Sequence, residues 1–250
     1  MPTIYFENML PRLDPPKPRP SKYARADWWK NMDKFISEEP HLNCPVPHHP
    51  INLRSGGKLG TMRKCPAVED AMHSGYTLFV PVDTFIDSTG DRVVMEHMNF
   101  LGKDADVDHL KYCLAQNIDA GKGYESAFDF HEQVLKWNTY WGIRTPKGYS
   151  SLITHPLGRT DLPFFMVDAI VDTDEYTAMS PYSFFIKKGF KGTIKRGTPM
   201  MQVFPYKRED EWNMEIVDVD RERFLRKATL MEAVFDNAYK KFFWTRKKYN

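Results

Sequence analysis

The chain has 250 residues, of which 42% are hydrophobic, 27% charged and 14% aromatic, and its formal net charge is +2. This is globular composition with an aromatic surplus: it excludes wholesale disorder, allows one sizeable core, and gives no overall charge excess of the kind that marks a nucleic-acid binder. No stretch approaches the run of about 20 apolar residues that a membrane span needs, the opening residues carry no basic and apolar leader, and Cys44, Cys65 and Cys113 form no disulfide framework, so the expectation is a soluble protein of a reducing compartment, not secreted and not membrane-embedded.

In chain order, TIYF at residues 3–6 reads as a short strand, and PRLDPPKPRP as an extended arm, because proline fixes φ and restricts the residue before it. Ser21 stands where it would cap a helix in which Trp28, Met32, Phe35 and Ile36 share one face, so residues 1–39 read as an arm and an amphipathic helix. Residues 40–60 are rich in Pro, His and Gly without a period and read as an irregular surface segment. VEDAMHSG then predicts one or two helical turns stopped by Gly75, and TLFVPVDTFID with DRVVMEHMNF predicts a hairpin about Ser88, Thr89 and Gly90. DVDHLKYCLAQ reads as a short helix with Leu110, Cys113 and Leu114 on one side.

The second half changes character. WGIRT, YSSLIT, PFFMVDAIVD, YSFFIKK, GTIKR, PMMQVFPY and MEIVDV are short β-rich runs separated by turn residues. Strands at that spacing point to an α+β, strand-rich fold, with a barrel or sandwich over residues 40–219. The chain closes with residues 220–250, where Phe224, Ala228, Met231, Phe235, Ala238 and Phe242 recur in steps of three and four and form one helical stripe. Phe224, Met231, Phe235 and Phe242 make that stripe a candidate docking face.

Several groups of side chains carry candidate chemistry. His41, Cys44, His48 and His49, with Cys65 further on, are zinc-type donors, but their spacing matches no standard finger and the intervening prolines read as an ordinary loop; no metal is expected. No histidine is followed two residues later by an acid, which disfavours a facial-triad iron site. Asp168, Asp172, Asp174 and Glu175 fall within one hairpin, where they either bind a cation and activate water or supply turn geometry. Cys65 and Cys113 lack any nucleophile signature, and Cys113 reads as a small buried hydrophobe. The last residues interleave Lys240, Lys241, Arg246, Lys247 and Lys248 with Phe242, Phe243, Trp244 and Tyr249, a pattern that suits an acidic partner, nucleic acid included, or a helix C-terminus offset by cations.

TMRKCPAVEDAMHSGY, WGIRTPKGYSSLITHPLGR, IVDTDEY and IKRGTPMMQVFPYKRE, spanning roughly residues 60–212, resemble an uncharacterised family of tailed bacteriophages, notably marine and cyanobacterial ones. At the level of fold, SSLITHPLGR, AIVDTDEY and GTIKRGTPMMQVFP are similar in order to the core of the dUTPase and dCTP deaminase (β-clip) superfamily. That second resemblance implies a nucleotide site in which Asp172 activates water, with Asp174 beside it, Tyr176 as a ring platform, Gln202 on a later strand, and magnesium as the ion. Glu175 adds a residue before Tyr176, and Arg54-Ser55-Gly56-Gly57, the only phosphate-clamp letters, lie more than a hundred residues too early. The expectation is therefore a phage structural or accessory protein without cofactor, in the virion or host cytoplasm, that docks on other subunits of its own or other kinds. The nucleotide enzyme is the alternative.

Overall fold

The computed structural model describes residues 1–11, 14–35, 60–97, 113–115, 118–121, 123, 129–177, 181–209, 212–233 and 238–250. The chain forms two compact units, one of Met1–Ala24 with Gly75–Asp210 and one of Arg25–Ser74 with Glu211–Asn250.

Among the described residues unit 1 holds every strand, and all their pairings are antiparallel. The strands are β1 (Tyr5–Asn8), β2 (Arg19–Pro20), β3 (Tyr76–Phe79), β4 (Thr84–Asp87), β5 (Val94–His97), β6 (Cys113–Ala115), β7 (Leu135–Asn138), β8 (Trp141–Arg144), β9 (Tyr149–Thr154), β10 (Phe164–Met166), β11 (Ala169–Val171), β12 (Pro181–Ile186), β13 (Lys191–Ile194) and β14 (Pro199–Lys207). They assemble in the orders β11-β9-β14-β3-β2, β10-β12-β7-β6, β13-β4-β5 and β1-β8, and among the described residues no sheet closes on itself. The result is a strand-rich α+β protein.

The core of unit 1 follows from period-two burial. Thr84 and Ile86 of β4 point inward while Phe85 and Asp87 are half-exposed, and Trp137, Phe164 and Phe184 converge from three neighbouring strands. The Trp137 and Phe184 rings stack at 3.9 Å, and Phe164 meets both edge-on. The proline arm packs on its own unit: Arg19 and Pro20 pair with Thr77 and Tyr76, and the Trp141 indole donates to the Pro16 carbonyl. Gly75 precedes β3 with φ of 71°, where a Cβ would collide with the Val203 carbonyl, so both the turn and the close approach require glycine.

Unit 2 contains α1 (Asp27–Asn31), α2 (Pro66–His73), α3 (Arg221–Ala233) and α4 (Ala238–Phe242). Proline at the start of α2 and Gly75 after it agree with the helix expected there.

Three expectations change. The helix after Ser21 is shorter than its periodicity implies: Ser21 to Tyr23 is a separate 3-10 turn, Ser21 caps nothing, and α1 stops at Asn31 with Trp29 buried rather than Trp28. Its carbonyls are taken from afar, since the Arg63 guanidinium donates to Lys30 and Met32 and Thr61 bonds Asp33 and Lys34. Cys113 and Leu114 lie in a strand paired with β7 rather than in a helix. MEIVDV forms no strand, although its apolar alternation suits one. Of the terminal stripe, Phe224, Ala228 and Met231 lie on α3 and Ala238 and Phe242 on α4, while Phe235 lies outside the described residues.

Candidate functional site

Three strand ends meet at one turn in unit 1. Val171 at the end of β11 faces Ser151 of β9, and the chain then folds through residues 172–176, where the backbone N–H groups of Glu175 and Tyr176 both donate to the Asp172 carbonyl. Buried hydroxyls hold this turn down: Thr173 Oγ1 lies 2.8 Å from Thr145 Oγ1 and 2.9 Å from Ser151 Oγ. Opposite it, Gly148 adopts φ of 83°, the left-handed conformation that a tight turn demands of its third residue. Its N–H donates to Asp174 Oδ2 at 2.8 Å and its carbonyl accepts from the Arg208 N–H at 2.9 Å.

Arg208 follows the last residue of β14, and its guanidinium fits Asp174 as a fork, with Nη1 to Oδ1 at 2.7 Å and Nη2 to Oδ2 at 2.5 Å. Nη1 also reaches Ser150 Oγ at 3.0 Å and Asp172 Oδ1 at 3.3 Å, while the Ser150 hydroxyl donates to Asp172 Oδ1 at 2.6 Å. The Asp174 side chain is 2% exposed and that of Asp172 is 63% exposed. Hydrogen bonding from Arg208, helped by the Gly148 amide, holds the Asp174 carboxyl down at about 2. Asp174 reciprocally raises the Arg208 guanidinium above its ordinary value. A carboxylate so stabilised as an anion is a poor proton acceptor and a good staple.

The structure brings together only part of the constellation expected here. Asp172 and Asp174 share Arg208, and Tyr176 is exposed two residues on. Gln202 is buried in the middle of β14, where its Oε1 accepts from Leu157 N–H at 2.8 Å. It is in register with Thr154, four residues along β9 from Ser150, which is roughly 13 Å at the usual strand rise. Asp168 is at that same end and accepts from the Thr154 hydroxyl at 2.5 Å. Arg208, Ser150 and Gly148 are the residues that sequence reasoning missed; a turn glycine and a basic residue just past a strand were their only signals.

Of the zinc-type donors, His41, Cys44, His48 and His49 lie outside the described residues, and Cys65 is an exposed free thiol. Among the described residues no group of three or more His, Cys, Asp or Glu side chains could hold a metal ion. No helix among them is long and apolar enough to cross a membrane.

In unit 2, Phe224, Met231 and Phe242 are exposed, whereas Ala238 is buried. Before them, residues 212–220 form neither helix nor strand and leave Trp212, Met214, Ile216, Val217 and Val219 in solvent, Trp212 at 90% and Ile216 at 92% exposure. The basic tail is partly tied down. The Trp244 indole donates to Asp70 Oδ2 at 2.7 Å and Lys247 Nζ lies 3.0 Å from the same oxygen, while Lys240 and Lys241 sit over the Trp244 and Phe242 rings. Arg246 and Lys248 are exposed.

No protein-family model matches the chain, and no curated protein matches it in sequence. Among solved structures, it is similar to a dUTPase from phage phi11 of S. aureus, at 11% identity and a TM-score of 0.25, over 43% of this chain and 96% of that one.

Proposed function

We propose that the chain is a non-enzymatic assembly module of a bacteriophage, a strand-rich body that docks on neighbouring subunits through residues 212–243, in the virion or in the host cytoplasm. The observation that carries this reading is the exposed apolar run of Trp212, Met214, Ile216, Val217 and Val219, continued by Phe224, Leu225, Leu230 and Met231 of α3. So many large apolar side chains left in water within twenty residues is a feature of interaction segments. The bacteriophage assignment rests on the resemblance carried by residues 60–212. A β-clip-like arrangement of unit 1 is supported by the three segments that suggest it, which contribute the adjacent strands β11, β9 and β14.

Sedimentation velocity of the full chain over a range of concentrations tests the proposal. Concentration-dependent association is expected, lost in a Trp212→Ser, Ile216→Ser double variant that keeps its melting temperature. A wild type that stays monomeric and sediments like the variant overturns the reading. The same reading gives Asp174 the role of a staple for the turn, so the chain with magnesium is expected to leave deoxynucleoside triphosphates intact. Turnover that disappears in Asp172→Asn would count against it, because an amide cannot take a proton from water.

A further inference from the structure

Unit 2 carries a partly open cavity of about 340 Å³ whose charged lining is Arg25, Lys34, Arg63, Lys64, Lys240 and a single carboxylate, Glu69. These cations come from four places in the sequence that share no motif, and the fold holds three of them in position. Arg63 is fixed by its bonds to the carbonyls of Lys30 and Met32, and Lys64 Nζ lies 4.6 Å from the centre of the Phe35 ring. Lys240 Nζ lies 5.4 Å from the Trp244 ring, which Asp70 in turn anchors to α2. Trp29, 1% exposed, and Pro66 complete the wall. A concave lining of formal charge +4, five cations against one carboxylate, focuses a positive potential and favours an anionic occupant.

The same chain contains a segment of the opposite kind. Residues 209–220, EDEWNMEIVDVD, include six carboxylates and no cation, interleaved with Trp212, Met214, Ile216, Val217 and Val219. Every described residue from 212 to 220 is exposed. The overall charge of +2 thus conceals segregation: an acidic apolar strap and a basic cavity on one molecule. Nucleic acid would answer the cations but leave the aliphatic side chains of the strap in water, whereas a second copy of the chain answers both. Resting on the docking reading above, we infer that the neighbouring subunit is a second copy of this chain and that the acidic strap of each copy seats its carboxylates against the cationic cavity of the other. Such a contact is self-complementary, the property that a two-fold homodimer requires.

Charge reversal on both sides tests this in the full-length chain. Lys34 and Lys240 are exposed, so Lys34→Glu with Lys240→Glu is expected to keep the wild-type melting temperature while weakening association at least about 10-fold. Glu215→Lys with Asp218→Lys, on the exposed strap, is expected to do the same. The first pair of substitutions takes the cavity lining from +4 to 0 and the second takes the strap from −6 to −2, so each variant loses attraction, and an equimolar mixture restores one full contact, the unaltered strap of one on the unaltered cavity of the other. The mixture is therefore expected to associate more strongly than either variant alone and more weakly than wild type, and wild-type association to weaken between about 50 and about 500 mM salt.

Association that survives both reversals but falls with Trp212→Ser, Ile216→Ser overturns this inference and leaves the docking reading standing. A chain monomeric throughout overturns both. A labelled single-stranded oligonucleotide that saturates the wild type, loses its affinity with Lys34→Glu and Lys240→Glu, and leaves the protein monomeric assigns the cavity to nucleic acid instead. Reversed variants that fail to melt as wild type are replaced by Lys34→Gln with Lys240→Gln, for which a smaller loss of association is expected and no loss overturns the inference.

Discussion

Unit 1 keeps Trp137, Phe164 and Phe184 at 1% exposure or less, whereas unit 2 leaves Trp212 and Ile216 at 90% or more. Both units have apolar side chains at regular spacing, but in unit 1 each inward position meets another strand. At the turn of unit 1 the Thr145, Thr173 and Ser151 hydroxyls answer one another, and the Arg208 fork answers the Asp174 carboxylate. Among the described residues of unit 2, the buried apolar side chains are those of Ala26, Trp29, Met72 and Ala238. The contrast teaches that periodicity specifies a face to be covered and is silent on what covers it.

Four measurements break or sharpen that contrast, the first three in unit 1. Phe184→Ala empties the stacked position against Trp137 and is expected to cost about 3–5 kcal/mol in thermal or urea unfolding. A loss below about 1 kcal/mol would mean that the aromatic cluster is not the centre of that unit.

Gly75→Ala is next. The left-handed backbone costs roughly 1–3 kcal/mol for a residue with a Cβ, and the collision with the Val203 carbonyl adds to it. Unfolding at an unchanged denaturant midpoint would show that the turn before β3 relaxes freely.

The third concerns acid. The folded Asp174 carboxyl is held at about 2 against an ordinary value of 3.8, so its contribution is fully present above about pH 4 and is lost as pH falls towards 2. Arg208→Met removes the largest cause of that depression. The acid limb of the stability curve is then expected to begin at higher pH, with stability near neutrality also reduced because a nearly buried carboxylate has lost its partner. Superimposable acid limbs would show that Arg208 does not hold the turn.

The smallest effect on stability is expected in unit 2. Phe224→Ala, at an exposed position of α3, should change stability by less than about 0.5 kcal/mol and weaken association of the full chain. A large loss of melting temperature with association unchanged would place Phe224 in a core and remove the contrast.

Much of unit 1 was legible because its signals are local. The hairpin of β4 and β5 about Ser88 to Gly90 and the strands β8 to β14, like the helix α2 of unit 2 stopped before Gly75, all follow from patterns and turn residues close in sequence. What escaped notice depended on distant partners. α1 ends early because Arg63 and Thr61, some thirty residues later, take its carbonyls and those of the residues just after it. Asp172 and Asp174 read first as turn geometry and only second as a water-activating pair, and the guanidinium that binds both, that of Arg208, stands 34 residues beyond Asp174. MEIVDV has the alternation of a strand but no paired edge, which no inspection of six residues reveals. The cationic cavity had no sequence signal, because Arg25, Lys34, Arg63, Lys64 and Lys240 become neighbours only through folding.

The two units are also interleaved along the chain, each made of an early and a late segment. β1 pairs residues 5–8 with residues 141–144, and β3 pairs residues 76–79 with residues near 200. During synthesis the first strand must therefore remain unpaired until more than half of the polypeptide has left the ribosome, and unit 2 cannot be completed until the final residues emerge. Pairings this distant slow folding and prolong the exposure of apolar strands. A variant in which residues 25–74 are moved to follow residue 250 would make each unit continuous in sequence and is expected to fold faster than the natural order.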